Sequence, residues 1–200
     1  MTPLLRIAGW IALAASLAGC SLGGLLGGGK APTILYDLTA STPTPGAVAR
    51  QASAGNAVTV RVPVVTKELR TTRVPVQVSP VQIAYVEDLN WVDTPDRLFQ
   101  GLVSETIRRT TNRVVLDPQQ AGLDPGLTVS GQLQQFGLDA QRGVAVVRYD
   151  ATLATNGGAS VQTRTFIAEL PATGTAASVA PALNAAANQV AIQVAQWVGG

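Results

Sequence analysis

Few side chains in this sequence could do chemistry. Cys20 is the only cysteine in 200 residues and histidine is absent, which removes disulfides, the commonest general base and the usual zinc ligand set. Serine hydrolysis would need a base other than histidine, and no Ser-x-x-Lys pair occurs. Two other patterns invite chemistry and fail on inspection. Gly24-Leu25-Leu26-Gly27-Gly28-Gly29-Lys30 has the glycine and lysine spacing of a phosphate-binding loop, but Ala31 stands where the magnesium-binding hydroxyl belongs and Pro32 follows. The acidic group Glu87, Asp88, Asn90, Asp93 and Asp96 offers oxygens for a cation, yet its spacing fits no calcium loop and reads as a solvated turn leading to a helix cap. No catalytic residue, metal site or cofactor is assigned, and a non-enzymatic chain is expected.

The remaining reactive group is the Cys20 thiol. Arg6, then an apolar run from residue 7 to 18 broken only by Gly9 and Ser16, then small residues before Cys20, make the charged, apolar and cleavage regions of an export signal. The run is too short to span a bilayer. Leu17-Ala18-Gly19-Cys20 resembles the lipobox of bacterial lipoprotein signals, which implies acylation of Cys20 and loss of residues 1–19. Each buried CH₂ contributes about 0.8 kcal/mol, so several acyl chains hold a protein where one would desorb. Ser21 in place of aspartate after the cysteine favours, by the same resemblance, the outer membrane over the inner on the periplasmic side.

Residues 20–33 form a Gly-rich tether, whose thirteen or so flexible residues reach about 20 Å by random-coil scaling. Residues 34–200 are long enough for one domain that buries roughly 70% of its unfolded surface. Loss of Arg6 lowers the formal net charge from +2 by one, and no basic run exceeds Arg108-Arg109, so nucleic acid is excluded as a partner.

Periodicity sets the elements that position whatever surface the domain uses. A short first strand is expected at 33–38, followed by a loose Ala, Ser, Thr, Pro and Gly segment at 40–56. Val58, Val60, Val62 and Val64 alternate with polar residues and Pro63, which predicts a half-buried strand; Val74, Val76 and Val78 repeat the pattern around Pro75. Each proline removes a ladder donor, so both belong at edges, bulges or unpaired positions. Val81, Ile83 and Tyr85 carry the alternation toward a Trp91 loop. Thr94-Pro95-Asp96 starts a helix whose apolar stripe is Leu98, Phe99, Leu102, Val103 and Ile107. Strands follow near 113–116, 127–136, 144–154 and 160–170, the last two joined through Asn156-Gly157-Gly158, and an Ala-rich helix closes the chain at about 178–198. Strands, helix, strands, helix predict an α+β two-layer sandwich: a mostly antiparallel sheet with two helices on one face.

At this point the chain resembles the ABC-type transport auxiliary lipoprotein family, partners of MCE-domain lipid transport systems of the paraquat-inducible kind. The resemblance rests on the lipobox, Tyr36-Asp37-Leu38, Leu69 with Arg73-Val74-Pro75-Val76, Ile83-Ala84-Tyr85-Val86-Glu87-Asp88, Trp91-Val92-Asp93, Pro95, Leu98-Phe99 and Glu105-Thr106-Ile107. It implies a lipid-anchored accessory protein that works with an MCE substrate-binding subunit, a permease and an ATPase, with self-association open. Two alternatives stand beside it: a module that carries lipid in a groove between sheet and helices, and a structural lipoprotein of outer-membrane assembly. The chain has only 3 Trp, 3 Tyr and 3 Phe, so Tyr85, Trp91 and Phe99 are the candidate partner-binding residues, against a simpler reading of Trp91 as a cap on the core.

Overall fold

One long strand organises the domain. In the computed structural model, which describes residues 34–46, 49–53, 55–118 and 124–199, strand β6 (Gly126–Asp139) runs through the middle of an eight-stranded sheet. Before it come β1 (Ala57–Val60), β2 (Val64–Val65), β3 (Arg73–Ser79), β4 (Gln82–Asn90), helix α1 (Pro95–Thr110) and β5 (Val114–Leu116); after it come β7 (Val144–Thr155), β8 (Ser160–Pro171) and helix α2 (Ala176–Gly199). The Cys20 assignment, the signal at 1–19 and the tether at 20–33 lie outside the described residues.

One side of β6 pairs antiparallel with β7 along its length, and β7 pairs antiparallel with β8. The other side takes β1, β2 and β3 in turn, all parallel, and β1 is also parallel to β5. The sheet is therefore mixed: its longest ladders, β6–β7 and β7–β8, are antiparallel, and parallel pairs stand beside them that the mostly antiparallel expectation did not include. The physical reason lies in two reversals: the β3–β4 hairpin turns the chain round, and the connection through α1 turns it round again, so β5 and β6 run in the direction of β1, β2 and β3. The α+β class with two helices and one sheet stands.

Local signals place several elements well. Thr94 has extended backbone before α1, its carbonyl accepts from Leu98 N–H, and Pro95 occupies the first turn. Asn156 (φ 51) and Gly157 (φ 64) adopt the left-handed backbone that a tight β7–β8 connection needs. Pro63 falls in the unpaired gap between β1 and β2, and Pro75 sits at a register shift between β3 and β4.

Two expectations fail for tertiary reasons. The alternation Val58, Val60, Val62, Val64 does not make one buried face: all of β1 is buried because strands flank it on both sides, whereas Val62 and Val64 are exposed and Val65 turns inward. The break at Pro63 shifts the phase by one residue. The short first strand is a single parallel bridge, Tyr36 to Trp91, in which Tyr36 N–H donates to the Asn90 carbonyl and Val92 N–H to the Tyr36 carbonyl.

Both helices bury their apolar sides in one core with the sheet. Phe99, Val103 and Ile107 of α1 meet Val179, Leu183, Val190 and Val194 of α2 and Val129, Leu133, Phe136, Val147 and Tyr149 of the sheet. Each fully buried aliphatic side chain stabilises by about 1.5–3 kcal/mol. Ala186, Ala187 and Ala191 are also fully buried, and their small size lets α2 approach its neighbours closely.

Candidate functional site: the seat of the N-terminal segment and the exposed sheet margins

The first described residue is Ile34, and those that follow are bound to every layer of the fold. Beyond the Tyr36 bridge, two asparagines one turn apart on α2 take over. Asn184 Oδ1 accepts from Thr39 N–H at 2.9 Å, and Asn188 Oδ1 accepts from Ser41 N–H at 2.7 Å. Asn188 Nδ2 donates to the Thr39 and Asn184 carbonyls, both at 2.8 Å, so this buried amide has its polar atoms satisfied. From α1, Arg109 donates to the Thr42 carbonyl at 2.7 Å and is itself braced by Glu105 Oε1 at 2.7 Å. The hydrogen bond from Arg109 holds the Glu105 carboxyl below its ordinary range, against partial desolvation that pushes it up.

Sequence reasoning missed this strap. Residues 40–42 read as the start of a loose segment, and the available signal was a pair of asparagines spaced i, i+4 in a charge-free, Ala-rich helix. Polar residues on a packed helix face must find partners, and here the partners are backbone groups some 145 residues away in sequence.

The three aromatic candidates are not brought into one patch. Trp91 is buried and meets Phe136 edge-on at 5.7 Å between ring centroids; Phe99 is buried and meets Tyr149 edge-on at 5.1 Å. Both side chains belong to the core of this domain, so Tyr85, Trp91 and Phe99 do not form one exposed patch on it. Only Tyr85 keeps partial exposure, with the Arg73 guanidinium 4.0 Å above its ring. Burial also raises the Tyr149 phenol far above its usual range, so it stays neutral.

The open spaces lie outside the core. A cleft of ≈820 Å³ beside α1 has a polar lining that includes Arg61, Gln100, Ser104 and Arg108. A shallower one of ≈500 Å³ near Tyr85 is lined by Val76, Val86, Leu138 and Ala172. Where a lipid groove between sheet and helices would lie, side chains such as Phe99, Tyr149 and Leu183 fill the interface at 0–1% exposure. Among the described residues, no group of three or more acidic or thiol side chains could hold a metal ion, and no helix is long and apolar enough to cross a membrane.

Two margins of the sheet, β4 and β8, differ. Between the pairs Arg73–Asn90 and Pro75–Tyr85, β3 contributes Val74 alone while β4 contributes Val86, Glu87, Asp88 and Leu89. This wide bulge holds Asp88 at φ 54 and exposes both Glu87 and Asp88. On the far side, β8 pairs with β7 and, among the described residues, with no other strand. The β6–β7 turn is fastened to it by Arg142, which bridges Asp139 Oδ2 at 2.7 Å and both Glu169 oxygens at 2.8 and 2.9 Å. Hydrogen bonds from Arg142 hold the Asp139 carboxyl low.

Comparison with known proteins follows the same layout. A family model described as ABC-type transport auxiliary lipoprotein component matches residues 36–195. No curated protein matches the sequence. Among solved structures, a Xanthomonas campestris protein is similar at TM-score 0.69 and 19% identity, covering 83% of this chain and 95% of that one. An uncharacterised protein is similar at TM-score 0.62 and 16% identity, covering 75% of this chain and 96% of that one. A PelC dodecamer from Paraburkholderia phytofirmans covers 76% and 96%, at 13% identity and TM-score 0.45. The first two share the fold.

Proposed function

The chain belongs to the ABC-type transport auxiliary lipoprotein component family, and from that premise we propose that it is a lipid-anchored, non-catalytic accessory subunit on the periplasmic side of the envelope, partnering an MCE-linked transport system that moves lipid or another hydrophobic solute. Its permease and ATPase supply the driving chemistry, and this domain supplies a surface held at a set distance from the membrane. Acylation at Cys20 provides the anchor, and Ser21 favours the outer membrane as its location.

One observation carries the proposal: the segment that arrives from Cys20 is built into the fold at once. Tyr36, Thr39, Ser41 and Thr42 are held by β4, α2 and α1 through main-chain and side-chain hydrogen bonds. A domain whose position relative to the membrane is immaterial has no use for such a seat. The packed interface between sheet and helices also favours an accessory role over a lipid carrier.

The test is co-purification of the acylated full chain from gently solubilised membranes. The proposal expects an MCE subunit, a permease and an ATPase in the same complex, all lost when Cys20→Ala releases the protein from the membrane. Recovery of the acylated protein without any MCE subunit overturns the proposal. Native mass spectrometry of detergent-free protein showing stoichiometric bound lipid turns it toward the carrier alternative.

A further inference from the structure

The bare margin at β8 has the geometry of a strand-addition site. Ala172 N–H donates to the Gly143 carbonyl at 2.9 Å, and this pair continues the unbroken β7–β8 register. Hydrogen-bonded pairs alternate along an antiparallel ladder. The even-numbered residues of β8 therefore turn their main-chain groups to β7, and Val161, Thr163, Thr165, Ile167 and Glu169 turn theirs outward. Pro171, with no N–H, closes one end. Natural sheets guard such edges with bulges, lysines or internal prolines; β8 runs 12 residues with no bulge, no lysine and no proline before its last residue.

A cleft runs alongside this edge. Arg164, Thr165 and Phe166 of β8 and Gln193, Gln196 and Trp197 of α2 line ≈340 Å³ of open space. The α2 residues share one helix face by their i, i+3, i+4 spacing. Trp197 packs on Phe166 at 5.6 Å between centroids, and the Arg164 guanidinium lies 5.6 Å from the Trp197 ring centre. Phe166 and Ala168 point into the core, so Arg164, at the same parity, lies on the helix side of the sheet. A strand added beyond β8 would send alternate side chains into this cleft.

We propose that β8 and the adjoining cleft of α2 bind an extended segment of a different protein, which adds as a further strand and places an acidic side chain against Arg164. Main-chain pairing supplies affinity and the cleft supplies selectivity. Charge decides the occupant. Arg164 has no carboxylate within ion-pair distance among the described residues. A second copy pairing through its own β8 would face Arg164 with Ser160, Gln162, Arg164, Phe166, Ala168 or Leu170, because directly paired residues share a face; none is acidic. The inference is independent of whether the partner belongs to an MCE system.

A phage-displayed library of random 12-residue peptides, selected on the acylated full chain in phospholipid nanodiscs, tests it. The expected winners alternate β-branched residues and carry an acid on the face that meets Arg164. A synthetic winner loses at least tenfold in affinity when alternate amides of one parity are N-methylated and keeps it when the other parity is treated. Arg164→Glu reverses the preference from acidic to basic peptides, and Thr163→Pro abolishes binding; the N-methylated peptides leave the protein untouched and need no variant to fold. Failure to select any peptide, equal effects of the two methylation patterns, or unchanged selection by Arg164→Glu each overturns the proposal. Self-association in light scattering that blocks peptide selection and disappears in Thr163→Pro assigns the edge to a second copy and also overturns it. A chain that recovers its MCE complex yet selects no strand-like peptide keeps the transport reading and loses this one.

Discussion

The β4 and β8 margins close the same sheet by opposite means. At β4 the strand widens into a bulge, exposes Glu87 and Asp88, accepts the left-handed backbone of Asp88 and takes Tyr36 as a short parallel cover next to buried Trp91. At β8 the register is unbroken, the outward main-chain groups have no partner strand among the described residues, and a cleft runs beside them. Left-handed backbone costs a non-glycine residue about 1–2 kcal/mol, less for Asp, so the β4 bulge is maintained against a local penalty. A fold able to protect one margin at that cost leaves the other open, and the open one is the better candidate for traffic with other chains.

The contrast can be broken hardest at Trp91. Trp91→Ala removes a buried indole from beneath the β4 margin and should destabilise by about 3–5 kcal/mol, read as a lower midpoint in urea; a midpoint within error of wild type would show that Trp91 does not close that margin. Asn188→Ala leaves the Ser41 N–H and the Thr39 carbonyl without their partners on α2. With Thr39 and Ser41 at the surface, where water can replace the lost partners, it should cost about 0.5–1.5 kcal/mol per hydrogen bond lost and speed proteolytic cleavage within residues 43–56, while peptide selection at β8 persists. Asp88→Gly should stabilise by up to about 1 kcal/mol through relief of the left-handed backbone, measured as a rise in Tm; a fall would mean that the carboxylate matters more than the strain.

Acid should act more weakly, and on the strap alone. The folded-state pKa of Glu105 is depressed, so its contribution is present above the ordinary carboxylate range and is lost as pH falls through the lowered value. The stability difference between wild type and Glu105→Gln should accordingly exist at neutral pH and vanish in acid, with no matching change at β8. The smallest thermodynamic effect is expected for Thr163→Lys, which adds a guard charge to the bare edge. Its Tm should stay within the scatter of surface substitutions, about ±0.5 kcal/mol, while turbidity on heating falls. Unchanged turbidity would mean that the edge is already covered.

Much of this architecture was legible from local signals. The Thr94-Pro95 start of α1, its Phe99 to Ile107 stripe, the Asn156-Gly157 turn and the displaced positions of Pro63 and Pro75 follow from backbone chemistry within a few residues. What escaped were features that depend on distant partners. Val62 and Val64 looked like a continuation of Val58 and Val60 because alternation does not report the phase change at Pro63. The direction of β1, β2 and β3 against β6 depends on two reversals, at the β3–β4 hairpin and across α1, that no local pattern reports. Trp91 carries two readings, contact residue and cap on the core, which its polar neighbours Asn90 and Asp93 do not separate; the indole is directed inward onto Phe136. The strap was invisible because its donors are main-chain amides, which every residue possesses, and only Asn184 and Asn188 marked the other half. At the site itself, sequence indicated a scarcity of chemistry and, of the candidates Tyr85, Trp91 and Phe99, only Tyr85 lies partly at the surface; the two margins emerged only with strand register.

The placement of β6 also sets a timetable. Strands β1, β2 and β3 all find their parallel neighbour in residues 126–139, so none can complete its ladder until about two thirds of the chain has appeared. For a polypeptide that emerges amino end first, the early strands and α1 must wait without their central partner, and loop closure over such separations is slow. The N-terminal half is thereby kept in an unfinished, threadable state until β6 arrives, after which β7 and β8 add by short hairpin steps.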